Sequence, residues 1–298
     1  MEIKGFININ KPANMTSSDV VVKVRGILHR VTGEKIKVGH LGTLDPQATG
    51  VLPIAIGTAT KLFDFALKKQ KEYIASFTFG KQTDTLDCEG KFLVENKKIP
   101  TKEEIIAILP CFVGDIMQVP PQYSAKSING KRAYDLAREG KNVELGAKSV
   151  TVFSIELLDE KYLEENNDIG YEKTDSYIFK ICCGSGTYIR SLARDIGEKT
   201  DTVAYMSSLI RNKSGEFILD NSVKFEEFEQ NPLNFILPIE TILNGLPKYN
   251  FPEPLAEKFL NGIKVTLEIP QGEFRVYHNN SLLGIGKNEQ GNLKLVRL

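Results

Sequence analysis

The chain has 298 residues, 41% hydrophobic and 26% charged, enough for one sizeable globular core and a second small module. No run of 18 apolar residues occurs, which argues against a transmembrane helix. The opening MEIKGFININ lacks the basic flank and cleavage site of a leader, so a cytoplasmic protein is expected. Four cysteines (Cys88, Cys111, Cys182, Cys183) form no CxxC pair and read as buried, reduced thiols. Three histidines without an HExxH pattern give no dedicated metal site. Net charge is zero, but residues 1–72 carry eleven Lys and Arg against six Asp and Glu. Residues 118–141 carry five against two, and residues 156–175 two against eight. Basic surface in the first two segments suits phosphate; ordinary solvated faces would give the same counts.

In chain order, GFININ forms a short apolar strand closed by Lys11-Pro12. A helix follows, with Thr16, Ser17, Ser18 and Asp19 as cap candidates. Val20, Val24, Ile27, Leu28 and Val31 share one of its faces. The pattern breaks at the loop GHLGTLDPQATG before the apolar run VLPIAI. Residues 72–79 alternate, with Tyr73, Ala75, Phe77 and Phe79 facing one way, and predict a half-buried strand. Thr101-x-x-Glu104 is a capping box for a helix ending near Pro110. AYDLAREG reads as a short helix stopped by Gly140.

Strands are expected at 149–158 and 176–183, flanking an acidic surface insertion, EENNDIGYEKTD. GTYIRSLARDIG reads as a helix with Ile189, Leu192, Ala193 and Ile196 inward and Gly197 at its end. From about residue 245 a helix, EPLAEKFLNG, precedes short strands around FRVYH, SLLGIG and LKLVRL. The expected class is α+β, a mixed, largely antiparallel sheet with flanking helices. Residues 1–244 would form one domain and residues 245–298 a small β-rich module.

One carboxylate stands out. Asp45 lies in a loop where Gly39, Gly42 and Gly50 permit tight turns and Pro46 fixes the geometry behind it. Such a loop presents an acid without crowding, although an Asp-Pro pair equally serves as a turn former. No GxGxxG or GxxxxGK cradle is present, so dinucleotide binding and nucleotide hydrolysis find no support.

An ordered series of segments then resembles one family. These are NINKPANMTSSDVVVKVR, GHLGTLDPQATGVLPIAIGTATK, KEYIASFTFGKQTDTLDCEG, QVPPQYSAKSINGKRAYDLAREG and CGSGTYIRSLARDIG. Together they run through most of residues 5–211 and resemble the TruB family of tRNA pseudouridine synthases. The C-terminal module resembles that family's PUA-like appendage, which implies extra tRNA contact.

The resemblance implies isomerisation of uridine 55 in the tRNA T-loop, with base flipping and no cofactor or metal. It implies Asp45, Arg190 and Tyr73 as the catalytic residues, with His40, Tyr73, Tyr188 and Leu209 binding substrate. Asp45 would act as nucleophile at C1′, as stabiliser of an oxocarbenium-like centre, or as base at C2′. Arg190 would keep it ionised, and Tyr73 would stack on the everted base and take the C5 proton. Lys126, Lys131 and Arg132 are candidates for RNA backbone contacts, or else solvated surface. Where the family usually shows Leu-Arg-Arg, this chain reads Leu209-Ile210-Arg211, which puts a phosphate contact there in doubt. Asp84 and Asp87 read as turn formers. A monomer acting on tRNA without an obligate protein partner is expected. The alternatives are a guide-RNA-dependent synthase and an RNA-binding, tRNA-folding helper; a glycoside hydrolase would want two carboxylates flanking the bond.

Overall fold

The computed structural model describes residues 3–95, 98–123, 127–128, 131–132, 145–159, 175–263 and 269–298. The two apolar runs near the start pair antiparallel: β1 (Gly5–Lys11) lies against β3 (Thr49–Ile56), with Ile7 opposite Ile54. Short β2 (Val38–His40) adds to β3 on the same sheet. Between β1 and β2 runs α1 (Ser17–Thr32), and of the four cap candidates Thr16 is the cap. Its hydroxyl accepts from the Asp19 N–H (3.0 Å), and Asp19 Oδ2 accepts from the Thr16 N–H (2.9 Å). The helix ends at Gly33, whose φ of 72° is one a side chain would resist.

The buried stripe of α1 is Ser17, Val20, Val21, Val24, Ile27 and Leu28. Val31, expected inward, is 52% exposed. It sits in the last turn, and Val21 takes the fifth apolar place on the buried face instead.

After α2 (Phe63–Leu67) come β4 (Lys71–Phe79) and the ribbon of β5 (Lys81–Thr83) and β6 (Phe92–Glu95). The capping box at Thr101 and Glu104 starts α3 (Lys102–Ile108), which runs on as a 3-10 turn to Phe112. Next are β7 (Gly114–Gln118) and the two-residue pair β8 (Ser127–Ile128) and β9 (Lys131–Arg132). The strands β10 (Lys148–Leu157) and β11 (Ser176–Cys183) fall where the sequence placed them. The expected helix before Gly140 and the acidic insertion lie outside the described residues.

Among the described residues the main sheet has nine strands, in the order β1-β3-β12-β4-β11-β10-β7 with β2 and β13 at its side. Here β12 is Ala204–Ser214 and β13 is Phe217–Ile218. Every pairing is antiparallel except β12 with β3, so the mixed, largely antiparallel reading holds.

That parallel junction needs glycine. A Cβ on Gly50 would sit 2.5 Å from the Arg211 carbonyl oxygen, and φ there is +97°. The strand expected to be half-buried is buried on both faces: Ser76 and Thr78 are 0% and 1% exposed. As the centre of the sheet, β4 is covered on its second face by a small cluster of Ile74, Ile178, Leu158 and Ile210.

The helix α4 (Ile189–Lys199) buries Ile189, Leu192, Ala193 and Ile196 against β12 and β4. It continues two residues past Gly197. A Cβ at Gly197 would lie 2.8 Å from the Ala204 nitrogen, so this glycine serves close helix–strand packing rather than termination. A short helix, α5 (Phe225–Gln230), follows. The C-terminal part builds its own sheet from β14 (Lys248–Asn250), β15 (Gly272–His278), β16 (Ser281–Glu289) and β17 (Asn292–Arg297). With α6 (Glu253–Leu260) it encloses Phe251, Phe259, Phe274 and Val276. Ile285 of this sheet also packs with Phe6, Val51 and Leu243, joining the two parts through an apolar seam. All four cysteines are free; Cys183 is buried and Cys182 half-buried, but Cys88 and Cys111 are exposed, against expectation. Among the described residues no helix is long and apolar enough to cross a membrane.

Candidate active site

The loop between β2 and β3 is pinned from three sides. Lys11, fully buried at the end of β1, donates from Nζ to the carbonyls of Pro12 (2.8 Å), Met15 (2.7 Å) and Pro46 (2.8 Å). Ser17, the first residue of α1, accepts from the Leu44 N–H (2.8 Å) and donates to the Leu44 carbonyl (3.1 Å). Arg211 on β12 donates from Nη2 to the Gly42 carbonyl (3.0 Å) and from Nη1 to that of Thr43 (3.4 Å). Residues on both sides of Asp45 are thus fixed by hydrogen bonds to buried groups. That costs chain entropy but sets one direction for its carboxylate.

That carboxylate meets Arg190 in the first turn of α4. Arg190 Nη2 donates to Asp45 Oδ1 (3.1 Å), and Nε lies 2.9 Å from Oδ2 without hydrogen-bond alignment, an ionic contact. The same guanidinium donates from Nη1 to Asp87 Oδ2 (3.1 Å) and the Thr85 carbonyl (3.0 Å), and from Nη2 to the Tyr123 carbonyl (3.0 Å). The Arg190 side chain is 7% exposed, whereas that of Asp45 keeps 32% of its surface. The carboxylate is at the mouth and the cation behind it. Loss of solvation in the protein pushes the Asp45 pKa above the ordinary carboxylate value; Arg190 opposes this, while Asp87 and Glu89 add to it.

Tyr73 lies on β4 with Ile181 opposite on β11 and Arg211 opposite on β12. Burial raises its phenol pKa, and the positive charge of Arg211, its partner across the sheet, pulls the other way. Leu209 is buried opposite Ala75, two residues from Tyr73 and on the same face of β4. His40 is half-buried at the end of β2, five residues before Asp45.

Tyr188 immediately precedes α4, and its backbone is clasped by Gln118 at the end of β7. Gln118 Nε2 donates to the Tyr188 carbonyl (3.1 Å) and Oε1 accepts from its N–H (2.8 Å). A groove of about 410 Å³ opens there, lined by Gln118, Lys148, Ser149, Ser185 and Tyr188. Lys126 lies outside the described residues, as do the side chains of Lys131 and Arg132 on β9.

The structure thus joins Asp45 to Arg190 directly, and places Tyr73 within reach of the Asp45 charge. Four residues escaped the sequence reading. Asp87 forms its turn, accepting from Thr85 Oγ1 (2.5 Å) and the Glu89 N–H (3.1 Å) on Oδ1, but its other oxygen holds Arg190. Lys11 and Gln118 are buried polar residues in motif segments, and Arg211 is one in the Leu209-Ile210-Arg211 run. Their signal was a long charged or amide side chain at a strand position, which marks a residue worth placing once the sheet is known to bury it.

Comparison with known proteins adds to this geometry. Residues 29–189 match the family described as TruB family pseudouridylate synthase (N terminal domain). A Clostridium kluyveri protein named tRNA pseudouridine synthase B is 39% identical, with 99% of each chain covered. Its namesakes from Clostridium perfringens and Bacillus cereus are 40% and 38% identical, covering 99% and 93% of this chain and 99% and 90% of their own. Among solved structures, a chain of a Cbf5-Nop10-Gar1 complex superposes with a TM-score of 0.70 at 24% identity, covering 98% of this chain and 84% of that one. At that identity the likeness speaks for the fold.

Proposed function

The chain belongs to the TruB family of pseudouridine synthases and isomerises uridine to pseudouridine in tRNA; from that premise we propose that Asp45 is its catalytic carboxylate and uridine 55 of the T-loop its target. The single observation that carries the assignment is the Asp45–Arg190 pair: a carboxylate with open surface, backed by a buried cation. The N1–C1′ bond breaks with its electrons on the uracil, and Asp45 meets the electron-poor sugar by nucleophilic, electrostatic or C2′-base action. The base turns, and C5 bonds to C1′. The C5–H bond then breaks, its electron pair forms the C5=C6 double bond, and the proton passes to the Tyr73 oxygen. N1 takes a proton, so the sum is an isomerisation without redox change or cofactor.

Eversion of the uridine costs a few kcal/mol of stacking, offset by Tyr73 beneath the base and by Leu209, His40 and Tyr188 around it. Asp87 is a positioning residue that shares Arg190 with Asp45. Residues 245–298 act as a module added to a catalytic domain of residues 1–244, extending contact with the tRNA. The enzyme works as a cytoplasmic monomer. The test incubates the purified protein with unmodified tRNA transcript, without cofactor or metal, and maps pseudouridine by chemical derivatisation. Product at position 55, lowered ~10³-fold or more by Asp45→Asn, is the expected result. Product elsewhere overturns the target. An Asp45→Asn protein that forms as much product overturns the carboxylate's role, and one that only aids tRNA folding would be the helper of the second reading.

A further inference from the structure

Arg211 is 1% exposed and poses an energetic question. Its Nε donates to the Val51 carbonyl (2.7 Å), and its two remaining nitrogens hold Gly42 and Thr43. No carboxylate among the described residues lies at ion-pair distance from it. Taking a guanidinium out of water with only neutral acceptors costs several kcal/mol, where an apolar side chain would fill the same volume without that penalty. The surroundings deepen the puzzle. Lys71 is also buried, bonded to the carbonyls of Leu67 (2.5 Å) and Lys69 (2.7 Å), and Lys11 lies on the other side of the loop. Three buried cations thus gather under the site, none with a carboxylate at ion-pair distance among the described residues.

One neighbour gives that charge a use. Tyr73 and Arg211 are direct cross-strand partners on β4 and β12, so their side chains project from the same face and the guanidinium charge acts on the phenol. We propose that Arg211 is a positioning residue for the proton-transfer half of the reaction: one guanidinium fixes both the Asp45 loop and the Tyr73 hydroxyl, and its unneutralised charge favours the phenolate that receives the C5 proton. The inference rests on the reading that Tyr73 takes that proton. The other titratable groups facing Tyr73 are Cys183 on β11 and Asp45 on its loop, and both disfavour the phenolate. Arg211 is the group that counters them. It also accounts for keeping the second arginine of the usual Leu-Arg-Arg run while the first is replaced by Ile210: a buried guanidinium under the tyrosine has no freedom to become a phosphate contact.

The test compares Arg211→Gln, Arg211→Lys and Tyr73→Phe with the parent under single turnover from pH 6 to 9.5, on tRNA transcripts carrying uridine or 5-deuterouridine. Arg211→Gln should be slower by about 10- to 100-fold near neutral pH, the span of a lost general base. Its rate should climb with pH past the parent's plateau, its deuterium effect should exceed the parent's, and tRNA binding should be unchanged. Arg211→Lys keeps the charge without the fork, and should be slower with the parent's pH profile and isotope effect. A folded Arg211→Gln that is slower in parallel at every pH, with the parent's isotope effect, overturns the proposal. If that variant does not fold, a moved pH profile in Arg211→Lys overturns it instead. Tyr73→Phe separates the layers: full turnover there removes the role of Tyr73 itself. A dead Tyr73→Phe beside parallel Arg211 profiles removes only the inference about Arg211.

Discussion

Arg190 and Arg211 are both buried beside the reacting groups, at 6% and 1% exposure, yet they are satisfied in opposite ways. Arg190 answers two carboxylates and two carbonyls. Arg211 answers three carbonyls and stands opposite a phenol. In the first region charge is matched, and the pair sets the protonation of Asp45. In the second the charge is left over, and its field falls on Tyr73 and on Lys11 and Lys71, whose pKa values burial pushes down to about 8. The same residue type thus serves a carboxylate in one place and a phenol in the other, and the difference lies only in what surrounds it.

Arg190→Met should break the matched side most severely. It leaves Asp45 and Asp87 without their shared cation, at a stability cost toward the lower end of about 3–5 kcal/mol because Asp45 is partly solvated. Turnover should fall about 10³-fold, with the acid limb of the kcat profile moved to higher pH, because burial then acts on Asp45 unopposed. Denaturant melts and a pH–rate profile read both.

The unmatched side should show in stability against pH. Lys11 and Lys71 drop from 10.5 to about 8 on folding, so between these values the unfolded chain binds more protons and stability rises with pH. The gain is on the order of 3 kcal/mol per lysine, complete only above the unfolded value. Urea midpoints from pH 7 to 10.5 should show the rise, and Lys71→Met should lose part of the slope. A flat curve would mean that neither ammonium is penalised.

Gly50→Ala probes the backbone beneath Arg211. A methyl 2.5 Å from the Arg211 carbonyl, at a positive φ, should cost about 2–3 kcal/mol in thermal melts. The smallest effect is expected of Asp87→Asn. Removing this like charge lowers the Asp45 pKa, so the acid limb should move to lower pH, opposite to Arg190→Met. Loosening of Arg190 should cost about tenfold in kcat. Equal displacement of the limb in both variants would erase the distinction between cation and anion around Asp45.

Local pattern carried far along this chain. The capping boxes at Thr16 and Thr101, the strands at 148–157 and 176–183, and the inward face of α4 were legible because each depends on neighbours a few residues away. The readings that failed concern relations at a distance. Gly197 looked like a helix end and is a contact with Ala204, and β4 looked half-buried until its second face was covered by Ile178 and Leu158. Val31 kept the helical period but fell in the last turn, where it is exposed.

The sequence by itself determined the order of elements, the family, and the candidates Asp45, Tyr73 and Arg190, because motif, period and capping chemistry are written in consecutive residues. Only the tertiary structure decided their environment. Arg190 lies 145 residues from Asp45 and 103 from Asp87, and Arg211 meets the Asp45 loop across 168 and 169 residues. Protonation depends on distance and solvent access, and no spacing along a chain supplies either before the sheet brings β3, β12 and β4 side by side.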